Sequence, residues 1–281
     1  MKVQLNLLQV PNSMKNTINR KIDQSHGRLY YALLDIWVLV LRSIRHITKN
    51  PDQLLGSTIQ PIMFMLLFRY VFGGAINTGG VSYVNFLVAG ILVQTLAFGA
   101  LTTSLSVATD IKRGIVDRFR SLPILNSAVI TGHVVADLVR NFISSIVLII
   151  TALFIGFRPE ADVREWVMIF ALALLFTFSV SWIAAIMGLL AKSVESVQWM
   201  GFFFVFPLTF ASAAFVPTDS MPWFLRVFAE NQPITHIIEA IRALMVGTSI
   251  GNHGWISLVW CVSSLVISIP ITAYLFRKRS M

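Results

Sequence analysis

The 281 residues are 56% apolar and only 12% charged, about half the charged share of a soluble domain. That composition excludes a soluble globular class, and a lone cysteine, Cys261, excludes a disulfide framework within one chain. Twenty-two basic against 13 acidic residues leave +9, a balance that suits nucleic acid or an anionic membrane surface, and position along the chain decides between them.

Residues 1–27 carry Asn, Gln, Ser and Lys without periodicity and read as a flexible cytoplasmic N-terminal tail. The tail is polar and basic well before the first apolar run, so no cleavable signal peptide is expected. From Arg28 the pattern changes. Arg28, Asp35, Arg42 and Lys49 recur every seven residues, with Arg45 and His46 beside them and Leu34, Trp37, Leu41 and Ile44 opposite. This predicts an amphipathic helix over 28–50 lying in the headgroup plane, ended by Asn50-Pro51. A seventh crossing would have to carry Asp35 or Arg42 into hydrocarbon; a helix packed on a soluble partner is compatible with the interfacial reading.

Residues 51–281 form the membrane domain. Six apolar stretches run near 54–75, 84–108, 129–156, 166–191, 199–216 and 255–276, each near or above the ~20 residues that a helix needs to cross ~30 Å of hydrocarbon. The loops alternate in charge: 16 basic residues lie on the side of the two termini and 4 on the other. The positive-inside rule places both termini in the cytoplasm. The basic excess is therefore a topology signal and an attraction to anionic lipid, not a nucleic-acid footprint.

Arg69, at the end of the first stretch, either snorkels to the outer headgroups or lines a cavity or dimer seam. Between stretches two and three, Asp110 is placed to cap a following turn. Ile115, Val116, Phe119 and Leu122 fall at helical spacing among Lys112, Arg113, Arg118 and Arg120, and Pro123 blocks continuation. This short amphipathic helix either dips into headgroups or fills a socket on a cytoplasmic partner. Stretch three is 28 residues, about 42 Å at 1.5 Å each, longer than the slab. Within it Asp137 and Arg140 share a helix face, as a structural pair or a proton relay.

Phe202, Phe203, Phe204, Phe206 and Phe210 crowd stretch five, facing lipid or an apolar substrate. In the 217–254 connection Ser220 and Pro222 start a short helix through Phe228. Pro233 starts another that runs to about Val246, before Gly247. These are surface helices or half-helices re-entering the outer leaflet, with Glu239 and Arg242 expected to pair. Pro61, Pro207 and Pro270 lie inside apolar stretches. No phosphate-binding Gly-x-x-x-x-Gly-Lys-Ser/Thr run occurs, so the chain is expected to bind no ATP in that manner. No metal-ligand spacing or nucleophile–base set occurs either. The fold expected is all-α integral membrane: six transmembrane helices, an amphipathic interfacial helix before them and short re-entrant outer helices between spans five and six.

Four runs together carry a resemblance: Arg113-Gly-Ile-Val-Asp-Arg-Phe-Arg-Ser-Leu-Pro-Ile124, Gly132-His-Val-Val-Ala-Asp-Leu-Val-Arg-Asn141, Ala213-Ala-Phe-Val-Pro-Thr-Asp-Ser-Met-Pro-Trp223 and Asn231-Gln-Pro-Ile-Thr-His-Ile-Ile-Glu-Ala-Ile-Arg242. In order and placement they resemble ABC-2 type transporter permeases, in particular the daunorubicin-resistance (DrrB-like) drug-export group. The resemblance covers about residues 40–277. It implies a permease subunit in a bacterial plasma membrane that pairs with a second copy or a paralogue and docks two ATP-binding subunits. ATP and magnesium would sit on those partners, and this chain would bind no cofactor or metal and would not itself be an enzyme. The coupling helix would be carried by Arg113, Gly114, Asp117, Arg118, Phe119, Arg120, Leu122 and Pro123, and the connecting helix by Asp35, Arg42 and Arg45. The outer re-entrant gate would be carried by Pro217, Met221, Pro222, Pro233, Glu239 and Arg242. Arg69 departs from the apolar residue expected near the end of the first span.

The implied cargo is amphipathic or hydrophobic, drug- or lipid-like. Alternatives are a lipid-linked polysaccharide exporter, an ATPase-independent secondary transporter and a scaffold. The two halves do not match in loop lengths, which disfavours the inverted repeats of many secondary transporters.

Overall fold

The computed structural model describes residues 51–76, 78, 80–114 and 126–279. The expected tail 1–27, the connecting helix with Asp35, Arg42 and Arg45, and the coupling residues Asp117, Arg118, Phe119, Arg120, Leu122 and Pro123 lie outside the described residues. Within them the elements are helical: α1 (Pro51–Leu67), continued by one π-helical turn (Phe68–Phe72), α2 (Tyr83–Lys112), α3 (Asn126–Ile155), α4 (Val163–Leu190), α5 (Val194–Phe210), a 3₁₀ turn (Thr218–Ser220), α6 (Trp223–Asn231), α7 (Pro233–Val246) and α8 (His253–Arg279). Four of these, α2, α3, α4 and α8, are long and apolar enough to cross a membrane; α1 with its π turn, and α5, are shorter apolar helices. The protein is a multi-pass membrane protein.

Helix ends follow local chemistry. Asp162 caps α4 by accepting from Glu165 N at 2.7 Å, while Asp162 N donates to Glu165 Oε2 at 2.8 Å. Ser193 and Ser196 repeat that reciprocal box at the start of α5, both bonds 3.1 Å. Only three residues separate α4 from α5, so the two run antiparallel. α3 stops at Gly156 (φ 106°), after which Phe157 N donates back to Ala152 O at 2.9 Å and its ring is fully buried. α7 opens on Pro233 and stops at Gly247 (φ 72°), as its sequence predicts.

α2 is the hub. Of its most apolar stretch 78% is buried, against 22% for α8, which leaves most of α8 facing outward. Leu87, Ile91 and Leu92 of α2 pack with Ile169 and Phe176 of α4 and Ile237, Ile238 and Ile241 of α7. A smaller core at the other end joins Val107, Val134, Trp182 and Phe276. Apolar side chains gain little by leaving lipid for a protein interior, so close backbone approach and polar contacts decide where helices meet. Gly188 of α4 lies against the backbone of Ser104, and Gly90 of α2 against the backbone of Ala214.

Three expectations change. Asp110 is inside α2, which runs on to Lys112, and its carboxylate meets His133 Nε2 of α3 at 2.8 Å. The stretch expected at 199–216 is helical only to Phe210, and the chain turns away at Ala211. The helix expected from Ser220 starts at Trp223 after a 3₁₀ turn and continues to Asn231.

Candidate functional site

Three features stand out, and each is placed by α2. The bundle has a loop end, where α2 stops and α3 starts, and a far end opposite it.

The first is a groove of about 370 Å³ between α1, α2 and α5. Its polar members are Gln60, Thr102 and Gln198; Thr102 and Gln198 sit towards the loop end. The remainder is apolar, with Phe64, Phe98, Phe202, Phe206 and Phe210 prominent, and no charged residue lines it among those described. From it a file of rings leads to the far end: Phe202 to Phe206 at 4.8 Å, Phe206 to Phe210 at 4.1 Å, Phe210 to Phe215 at 4.9 Å, Phe215 to Phe68 at 4.3 Å, and Phe68 to Phe72 at 5.2 Å between centroids. Both end rings are exposed. Phe215, in the middle of the file, is buried, so the rings form a continuous stack without a continuous open track. Trp199, Phe203 and Phe204 of α5 are exposed outside the groove and face outward.

The second is the connection 211–216. It is not helical, yet Ser212, Ala213, Ala214 and Phe215 are buried. Irregular backbone at this depth persists only if protein satisfies its polar groups. Gln232 Nε2 donates to Ala211 O, and Ala213 N donates to Thr235 Oγ1 at 3.3 Å. Arg242 Nη2 donates to Ala213 O, and Tyr83 Oη donates to Phe215 O at 3.1 Å. Arg242 is the keystone. Its Nε donates to Phe86 O at 3.1 Å, its Nη1 to Glu239, and its Cζ lies 3.6 Å from the Phe86 ring centre. The expected Glu239–Arg242 pair is thus present, with Arg242 buried. Pro233 opens α7; Pro217 and Met221 flank the 3₁₀ turn, and Pro222 precedes α6.

The third is a polar cluster where α2, α3 and α4 meet. Asp137, 1% exposed, receives Arg140 Nη2, Thr102 Oγ1 at 3.1 Å and Ser181 Oγ at 2.5 Å. Of the other expected residues, Arg113 is exposed and closes α2 by donating to Thr109 O at 3.0 Å, and Gly114 follows with φ 65°. Arg69 is half-buried in the π turn. Sequence reading missed Thr102, Gln60, Gln198, Tyr83, Gln232 and Thr235. Each is a polar residue in or beside an apolar run, which is a signal, but most Ser and Thr at such places bond their own helix, as Thr95 does.

At the far end His236 Nδ1 of α7 meets His253 Nδ1 of α8 at 2.9 Å. One of the two must donate and the other accept, so the contact needs at least one neutral ring. Burial, then the His253 charge, hold His236 below the ordinary imidazole range, with Glu239 opposing. A lowered histidine stabilises the fold above the unfolded pKa of about 6.5, and that contribution is lost as pH falls through the folded value. Native protein should therefore lose more thermal stability between pH 7.5 and 5.5 than His236→Gln. Equal losses in the two proteins would show that this contact does not set the dependence.

Residues 35–246 match the family described as ABC-2 type transporter. The chain is 33% identical over 251 residues to the daunorubicin resistance ABC transporter permease protein DrrB1 of Streptomyces coeruleorubidus, covering 89% of this chain and 87% of that one. It is 24% identical over 239 residues to the "Probable doxorubicin resistance ABC transporter permease protein DrrC" of Mycobacterium tuberculosis, covering 80% and 82%. It is also 24% identical over 228 residues to the inner membrane transport permease YadH of Escherichia coli strain K12, covering 78% and 85%.

Proposed function

Because the chain belongs to the ABC-2 type transporter family, and so is the transmembrane subunit of an ABC exporter, we propose that it moves amphipathic, ring-bearing molecules from the cytoplasm or inner leaflet outward. The single observation that carries this substrate class is the groove between α1, α2 and α5. It carries two uncharged polar residues, Thr102 and Gln198, among apolar ones towards the loop end and is aromatic beyond, and the ring file continues it to the far end. A neutral or singly charged aromatic amphipath fits that gradient, its hydrogen-bonding end towards Gln198 and Thr102 and its rings along Phe206 and Phe210. Daunorubicin, named for the Streptomyces relative, has that chemistry.

In this reading the bundle crosses six times, by α1 with its π turn, α2, α3, α4, α5 and α8, while α6 and α7 re-enter from outside. The loop end is cytoplasmic, as the basic loops favour. Two permease chains stand side by side over two ATPase subunits that hold ATP and magnesium. Residues 113–124 seat Phe119 and Leu122 in a socket on the ATPase, and the 28–50 helix lies in the headgroups. ATP binding closes the ATPase pair, moves these segments and opens the route past the 211–216 connection, where α7 holds the outer gate.

The test is co-purification and reconstitution in liposomes with its partner ABC ATPase. Native protein should hold the ATPase, and daunorubicin should raise ATP turnover severalfold. The double variant Phe119→Asp, Arg118→Glu puts a carboxylate into an apolar socket and reverses the charge beside it, so it should lose at least about tenfold in coupling, a barrier change of ~1.4 kcal/mol or more. Failure of any ATPase to bind, or full stimulation in the double variant, would overturn the reading.

A further inference from the structure

The Asp137 cluster is more than a helix clamp. Its members face two places at once. Thr102 lines the groove. α3, which carries Asp137 and Arg140, starts at Asn126, directly after the 113–124 segment in sequence. Thr102, Asp137 and Arg140 touch one another. Arg140 Nη2 donates to both Asp137 Oδ1 and Thr102 Oγ1, and reaches Gly99 O at 3.4 Å. The Thr102 hydroxyl has one proton, with Gly99 O at 2.5 Å and Asp137 Oδ1 at 3.1 Å as its acceptors. A ligand acceptor in the groove therefore competes with Gly99 O and Asp137 Oδ1 for that proton.

The cluster is also half-satisfied. Arg140 is 6% and Asn141 1% exposed, yet Arg140 Nε and Asn141 Nδ2 have no partner among the described residues. A buried ionic network with free donors is costly in one arrangement, and that cost falls if a shift of α3 along α2 lets those donors find acceptors. With a second placement of α3 the element has two states for the groove and the loop to bias, the physical requirement for coupling between sites.

We infer that Asp137 and Arg140 are positioning residues that couple occupancy of the groove, read through Thr102, to movement of the 113–124 segment, carried by α3. The inference rests on the exporter reading above. Linkage makes it reciprocal: a groove ligand that favours one placement of α3 is bound more tightly whenever the ATPase holds that placement. Neither residue touches the ligand, so their loss should uncouple without weakening binding.

The same liposome complex tests this with daunorubicin as the probe. Asp137→Asn should keep complex assembly and basal ATP turnover, and keep the half-stimulating drug concentration within about threefold, while the stimulation at saturating drug falls about tenfold. Asp137→Glu, which preserves the charge, should restore it to within about threefold of native. Thr102→Val should also lose stimulation, and adding Asp137→Asn to it should cost no more than about twofold further, because both act through one contact. Should Asp137→Asn fail to assemble, Ser181→Ala carries the test: it takes one donor from Asp137 and leaves the ion pair and the groove lining intact. It should lower stimulation severalfold at an unchanged half-stimulating concentration, native stimulation overturning the inference. Native stimulation by Asp137→Asn or by Thr102→Val overturns the inference while the exporter reading stands. Parallel loss of basal and stimulated turnover in Asp137→Asn, unrelieved by Asp137→Glu, reduces the pair to a structural clamp and also overturns it. A native complex whose turnover ignores daunorubicin overturns the exporter reading and this inference with it.

Discussion

Arg242→Met should destabilise the protein by about 3–5 kcal/mol, the usual cost of removing one partner from a buried ionic contact. The change takes the guanidinium donor from Phe86 O and Ala213 O and the cation from Glu239, all at the far end of the bundle. Methionine fills similar volume, so packing is not the issue; three acceptors lose one planar fork at the same time. Arg242→Lys should rescue little. A single ammonium cannot reach two carbonyls and a carboxylate in one plane, nor lie flat 3.6 Å over the Phe86 ring. Glu239→Gln should cost much less, since the amide still accepts from Arg242. Unfolding followed by loss of the monodisperse peak in detergent would rank the three. A native-like midpoint for Arg242→Met would mean that the 211–216 connection holds itself.

Gly90→Ala is the second large effect. A methyl at Gly90 would overlap the carbonyl of Ala214, with the Ala214 Cα and carbonyl carbon each 2.6 Å away, and no flexible side chain stands between to yield. Overpacking of this kind costs ~1–3 kcal/mol or more, and here relief requires α2 and the 211–216 connection to part. Gly201→Ala meets the Leu101 side chain first, which can change rotamer, and should cost less. Gly74→Ala meets nothing within 4 Å and should be neutral to within ~0.5 kcal/mol. Melting midpoints in the order Gly90→Ala far below Gly201→Ala, with Gly74→Ala at native, would confirm the contact. Equal midpoints would refute it.

The parts legible in sequence were those whose cause is local. α2, α3, α4 and α8 announce themselves by apolar length. α7 is bracketed by Pro233 and Gly247, and the pairs Asp137–Arg140 and Glu239–Arg242 lie one helical turn apart, where i,i+3 neighbours must meet. The groove and the pinned connection were not legible, because their members lie between 21 and 156 residues apart. Nothing in the run 199–216 says that its last residues leave the helix, since the donors that permit this sit on α7 and at the start of α2. The apolar composition there is the same whether the chain continues as helix or turns. Asp110 was misread for a related reason. A cap is a local motif, but the carboxylate answers to His133 on the next helix.

The span between Phe86 and Arg242 has a consequence for how the protein is made. The carbonyl of Phe86 enters the membrane with α2, and its donor is 156 residues later in the chain. During synthesis α2 through α5 and the 211–216 stretch leave the ribosome before the Arg242 guanidinium does. Until residue 242 emerges, that stretch has either to stay helical or to keep water with it. Closure of this end is thus a late event in biogenesis, timed by α7, and a nascent chain halted before Arg242 should present the quality-control proteases with an unfastened strap.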